Sequence, residues 1–350
     1  MQYSLSGRFR GTLIGAMVGE MLCRLSTDTT LQSYRDHRRL NFAYARPKQS
    51  RRDILDQKQN PDWPSSVDSL GGRVAVLGVQ SLIRLGRLDL DDWSKAYRSQ
   101  TSTINYTCES SEQNAMNRDC TKMIIATLPI ALFYHENEIK LRQNLLGLIS
   151  IWQDNESSCN SVSRDGTLAV GYAIAQCLQE NFNRAELIPQ IITFLGEPQA
   201  QLAQDLAKVQ TLLQQRAGLE QTVIKLGQDT QPSANIALAF YCFLSTLEDL
   251  RLSVIRAAQK SHQPEITSAI AGALSGAYNS IIGIPVTLRL ALSRSDTKPL
   301  AAWGIKTEAE MLELCDSLVA AWSGFYNQAT PSTGLTSVAA IAAPGIIRLR

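Results

Sequence analysis

Ser268-Ala269-Ile270-Ala271-Gly272-Ala273-Leu274-Ser275-Gly276-Ala277-Tyr278 is the stretch on which the fold turns. It carries no charge, and Gly272 and Gly276 stand four residues apart, on one face of a helix that a neighbouring backbone can approach closely. The same spacing recurs at Gly11, Gly15 and Gly19, within Gly11-Thr12-Leu13-Ile14-Gly15-Ala16-Met17-Val18-Gly19. In a chain that stays in water, paired stripes of this kind mark a buried helix crossing. The helix over 10–22 and the helix starting near Glu265 are therefore predicted to lie side by side, glycine and alanine faces in contact.

Outward from these two segments, apolar residues recur at helical spacing, and alternating β-branched runs bounded by turns are nearly absent. The predicted helices cover 8–23, 72–86 with Gly86 as C-cap, 89–100, 119–134, 137–153, 166–180, 184–195, 198–217, 233–260, 265–282 and 306–327. Pro198 suits a first helical turn, where its missing N–H costs nothing. The Gln- and Leu-rich region 197–230 reads as an amphipathic helix with a solvated glutamine face. Three segments resist a helical reading: 26–66, the polar stretch 101–118, and the tail from Thr330, which carries Pro331, Gly334, Pro344 and Gly345.

Composition narrows the class. With 350 residues and 44% hydrophobic content the chain can bury a large core, and its net charge of +2 creates no global field for nucleic acid or an anionic membrane. Seven scattered cysteines without a C-x-x-C pair predict reduced thiols in the cytoplasm rather than a zinc ribbon or a disulfide framework. The apolar run behind Arg8-Phe9-Arg10 is interrupted by Glu20, which argues against a secretory leader, and Met123 to Phe133 is too short to span a bilayer. P-loop, G-x-G-x-x-G, G-x-S-x-G and H-E-x-x-H motifs are all missing.

The two glycine-striped segments, in their order along the chain, resemble the ADP-ribosylglycohydrolase family. Its opening Gly-Ala-x-x-Gly-Asp-Ala-x-Gly helix is matched here with Glu20 at the Asp and Cys23 at a Gly. The helix from Val74 through Gly86 to Trp93 is similar to the one after the family's Thr-Asp-Asp-Thr, a motif whose place here is taken by Ser69-Leu70-Gly71-Gly72. Met123 to Tyr134 with Pro129 looks like the family's Met-Arg-x-x-Pro helix, with Ala126 near the arginine position. Ser233 to Ala258 resembles the helical pair leading to the last motif. Where the family has Asp-x-Asp-Thr, this chain has Gln263-Pro264-Glu265-Ile266. The resemblance implies an all-α, compact multi-helix orthogonal bundle over 1–329, with a long basic loop at 26–66 and a tail at 330–350.

The resemblance also implies a chemistry that most of these positions lack. Family members hold two Mg²⁺ or Mn²⁺ ions against the ribose of an ADP-ribosyl group, and such hard cations require oxygen ligands, chiefly carboxylates. Glu265 can replace one carboxylate, Gln263 offers a neutral carbonyl, and Ile266 has no ligating atom. The first expectation is accordingly a non-catalytic, ADP-ribosylglycohydrolase-like protein without a metal cofactor, which binds or scaffolds a protein partner. The alternative is a divergent hydrolase of ADP-ribosyl or related glycosidic substrates, using Glu20, Asp68, Asp165 and Glu265 and, in that case, Mg²⁺ or Mn²⁺.

Each residue also has a plainer reading. Glu265 suits the acid of a first helical turn. Glu20 is either buried with a partner or turned to a cleft, and His135 and His262 read as surface or helix-end residues. Between Arg35 and Arg52 stand Arg35, Arg38, Arg39, Arg46, Lys48, Arg51 and Arg52 against Asp36 alone, interleaved with Tyr34, Phe42 and Tyr44. That loop is a solvated segment or a docking site for an acidic protein partner, with nucleic acid as a third and less favoured occupant. An ADP-ribose-like ligand remains open on the resemblance.

Overall fold

The computed structural model describes residues 3–27, 69–101, 123–152, 159–179, 182–227, 231–293 and 299–325. The basic segment 35–52, Asp68, the stretch 102–118 and the tail from 330 lie outside the described residues, and so do the readings placed on them. Among the described residues there is no strand, and besides a helical segment at 123–126 that ends at Thr127 there are fifteen α-helices. They are α1 (Leu5–Thr27), α2 (Leu70–Leu85), α3 (Leu90–Thr101), α4 (Leu128–Phe133), α5 (Glu138–Trp152), α6 (Cys159–Leu178), α7 (Leu187–Leu195) and α8 (Gln201–Gln214). Then come α9 (Leu219–Leu226), α10 (Pro232–Ser245), α11 (Leu250–Lys260), α12 (Pro264–Asn279), α13 (Val286–Leu292), α14 (Pro299–Ala302) and α15 (Glu308–Trp322).

The pairing of α1 with α12 is the most extensive helix contact among the described residues, as the glycine stripes predict. A Cβ added to Gly15 would lie 3.0 Å from the carbonyl carbon of Gly272 and closer still to its oxygen. One added to Gly272 would meet Gly15 in the same way, and one added to Gly19 would lie 2.7 Å from the Cα of Ala269. Real Cβ atoms do not approach backbone so closely, so hydrogen is the only side chain these positions accept. The two helices enter one hydrophobic cluster that extends from Phe9 to Ala321. α1 is thus a core helix, and no helix among the described residues is long and apolar enough to cross a membrane.

Local sequence decides most of the boundaries. Gly86 closes α2 in the left-handed conformation, φ 65°, with its N–H on the carbonyl of Leu82. Three predicted features need correction. Pro198 does not sit in a first turn: it belongs to the turn before α8, whose N-cap is Ala200. The region 197–230 is two helices, because the chain turns at Arg216, φ 52°, and restarts at Gly218. The stretch 233–260 is also a pair, α10 and α11, since Asp249 accepts the N–H of Leu252 and caps a new helix. The short α13 and α14 went unpredicted. Cys23, Cys177, Cys242 and Cys315 are buried. Burial pushes the thiols of Cys242 and Cys315 up to about 12, which keeps them protonated and unreactive.

Candidate functional site

Glu20 follows Gly19 on α1. Gly19 faces α12, where the Ser268 hydroxyl donates to its carbonyl at 2.9 Å. One residue on is about 100° of rotation around a helix, so Glu20 is turned off that contact and towards the start of α2. Here Ser69 has two tasks: its hydroxyl donates to Oε1 of Glu20 at 2.9 Å, and its oxygen accepts the N–H of Gly72 at 3.1 Å, capping α2. The other carboxylate oxygen, Oε2, accepts the indole N–H of Trp303 at 2.7 Å. Glu20 and Trp303 are both buried, at 6% and 1% exposure.

Trp303 is fixed from two sides. It follows α14, whose last carbonyl, that of Ala302, accepts the N–H of Ser69 at 3.3 Å and Nε of Arg73 at 3.1 Å. Its ring lies flat on Gly72, where a Cβ would stand 2.6 Å from Cγ of the indole. Glycine at 72 therefore makes room for the ring, and the ring brings a donor to Glu20. Sequence reasoning missed Trp303 altogether. The one available signal was the pair Gly71-Gly72 opening a helix, which announces a close neighbour without saying which.

The first turn of α12 approaches the same place through Ser268 and Gly19. Ile266 is buried, Glu265 is exposed, and Gln263 is the N-cap residue but makes no side-chain cap bond. The start of the helix is secured instead by Ser261, whose oxygen accepts the N–H of Gln263 at 3.0 Å and whose hydroxyl is 2.6 Å from that of Thr267. Of the residues expected to converge, the structure joins Glu20 to Ser69, which caps α2 at Gly72, while α12 meets α1 one residue away, where Ser268 donates to Gly19.

Asp165, on α6, is placed elsewhere. Nε of Arg164 donates to it at 3.1 Å, and Arg164 also reaches Glu197 at 3.0 Å. Burial raises the Asp165 carboxyl above the ordinary range, against the pull of Arg164. It shares no partner with Glu20 among the described contacts. His135 is not a surface residue: it ends the α4 turn with 4% exposure, Nδ1 against the carbonyl of Leu132 at 2.7 Å, between Phe9 and Trp322. His262 is exposed. Among the described residues no three His, Cys, Asp or Glu side chains are grouped to hold a metal ion.

Comparison with curated proteins finds no match. The family model described as ADP-ribosylglycohydrolase matches residues 1–324, a span that takes in α1, the Glu20 junction, α12 and every other described helix. On that match, and with the all-α architecture just described, this chain belongs to the ADP-ribosylglycohydrolase family.

Proposed function

We propose that this chain uses the ADP-ribosylglycohydrolase scaffold to bind a partner rather than to hydrolyse a glycosidic bond. The observation that carries this reading is the Glu20 carboxylate, both of whose oxygens accept hydrogen bonds from buried protein donors, Ser69 and Trp303. A carboxylate so engaged would have to shed two good hydrogen bonds before ligating a cation. The remaining motif positions do not fit two hard cations either. Leu70, Gly71, Gly72 and Ile266 bring no donor, Ser69 is spent on its cap and on Glu20, and Glu265 alone adds a carboxylate at the exposed end of α12.

The divergent-hydrolase reading is favoured by one observation, a family match spanning nearly the whole chain. One assay separates the two. Purified protein incubated with Mg²⁺ or Mn²⁺ and a mono-ADP-ribosylated protein is expected to release no ADP-ribose, and calorimetric titration is expected to give no metal binding tighter than the roughly millimolar range of weak carboxylate sites. Turnover, or two equivalents of tightly held Mn²⁺, would sink the non-catalytic reading. The partner surface we assign to residues 35–52, with an acidic protein as occupant. Replacing Arg38, Arg39, Arg51 and Arg52 by Ser is expected to weaken capture of that partner at low salt and to leave the unfolding midpoint unchanged. Unchanged capture would remove the loop from consideration.

A further inference from the structure

A cavity of about 630 Å³ opens between α5, α6 and α7, away from the Glu20 junction and sharing none of its residues. Its size falls within the roughly 300–1,000 Å³ of small-ligand sites. Glu138, Ile139 and Arg142 of α5 form one wall, Tyr172 of α6 contributes below, and Glu186 with Phe194 forms the other wall. The Tyr172 and Phe194 rings are in contact, centroids 4.5 Å apart, and Ile139 is 72% exposed at the rim.

The charges in this cavity are unevenly committed. Arg142 donates to the carbonyls of Phe194 and Leu195, and its guanidinium lies 5.4 Å from the centre of the Phe194 ring. Its cation thus serves the negative end of α7. Glu138 and Glu186 are both exposed, and neither forms an ion pair among the described residues. Glu138 accepts a neutral donor, the Gln176 amide, at 3.4 Å, and burial together with the nearby Glu138 carboxylate pushes the Tyr172 phenol up to about 12. Ionised carboxylates accept and never donate. An anionic ligand would be repelled, and a neutral apolar one would strip water from two carboxylates without replacing it.

We propose that this cavity binds an organic cation on an aliphatic stem, its charged end met by Glu138 and Glu186 and its methylenes laid against Ile139 and the Tyr172–Phe194 pair. Two sources share that chemistry, a free polyamine and a lysine side chain presented by a protein. The inference does not depend on whether the Glu20 junction hydrolyses anything, and no probe or variant below touches that junction.

The test is calorimetric titration of the full chain at low salt with 1,4-diaminobutane, with a capped Gly-Lys-Gly tripeptide, and with 1,4-butanediol as the uncharged control. At least one amine is expected to bind while the diol does not, and Glu186→Gln is expected to weaken the amine roughly tenfold, the equivalent of about 1.4 kcal/mol. Binding of the diamine alone assigns the site to polyamines, and binding of the tripeptide alone assigns it to a protein lysine. As a check that needs no variant, amine affinity should fall as NaCl is raised. Diol binding as tight as the diamine, affinity indifferent to Glu186→Gln and to salt, or no binding of either amine at millimolar concentration would overturn the assignment.

Discussion

The face of α1 that carries Gly11, Gly15 and Gly19 meets α12 backbone against backbone, whereas the very next residue, Glu20, meets α2 and Trp303 through side-chain hydrogen bonds. At its glycine positions the first junction has no room for a Cβ. The second depends on three particular side chains, contributed from positions 20, 69 and 303. A scaffold fixed by missing Cβ atoms can persist while the chemistry beside it changes, because the glycine contacts do not involve Glu20, Ser69 or Trp303. That separation lets the helix crossing that the family match spans, over residues 1–324, stand independently of the side chains at the second junction.

The severest way to break the contrast is to put bulk into the glycine seam. Gly272→Leu should exceed the roughly 1–3 kcal/mol usual for overpacking, since the Gly15 backbone facing it cannot rotate away as a side chain would. Chemical denaturation would show this as a large drop in midpoint or as loss of folded protein, and an unchanged midpoint would refute the close crossing. Next in size, Trp303→Ala should cost about 3–5 kcal/mol, as large buried truncations do, and it also strands Oε2 of Glu20. If the second junction is a side-chain lock, Ser69→Ala should cost less, about 1–2 kcal/mol for a lost helix cap. The Trp303→Ala and Ser69→Ala losses should be non-additive in a double-mutant cycle, since both donors serve one carboxylate. Simple additivity would show that Glu20 does not couple them.

The smallest effect concerns the N-terminal half of α1, where Phe9 packs edge-on against His135 at 5.8 Å between centroids. Burial holds the His135 imidazole below its ordinary pKa, outweighing the Leu132 carbonyl bond. The unfolded chain, with a histidine near the ordinary value of about 6.5, therefore takes up the proton first as pH falls. The stability associated with neutral His135 is complete above that pH and is lost progressively below it. The midpoint measured at pH 5.5 should thus lie below that at pH 7.5, and His135→Asn should narrow the gap. An identical gap in the variant would mean that His135 is not the group responsible.

The α1–α12 crossing was legible in the sequence, because glycine spacing on a helix states directly that a backbone will come close. Gly86 as the end of α2 was legible for the same local reason. The predicted helix 198–217 ends close to the break, but the left-handed turn at the exposed Arg216 was not legible: it comes with the capping bonds of the helix end, Arg216 N–H to the Leu213 carbonyl and Ala217 N–H to that of Leu212. His135 stands at a helix end, one of the two places its reading allowed, but nothing in its neighbours along the chain foretells its burial between Phe9 and Trp322.

By itself, the sequence determined an all-α chain, the two glycine stripes that must meet, and the family they belong to. Those properties depend on residue type and on spacing within one helix, both of which are written locally. Only the tertiary structure decided that Glu20 is held between Ser69 and Trp303, that Arg164 links Asp165 to Glu197, and that Glu138 and Glu186 line one cavity. Each of these joins positions on separate elements or faces, Glu20 and Trp303 being separated by 283 residues. Such partners are chosen by how the helices pack, and a helix's own periodicity names the face that will be buried without naming the side chain that will cover it.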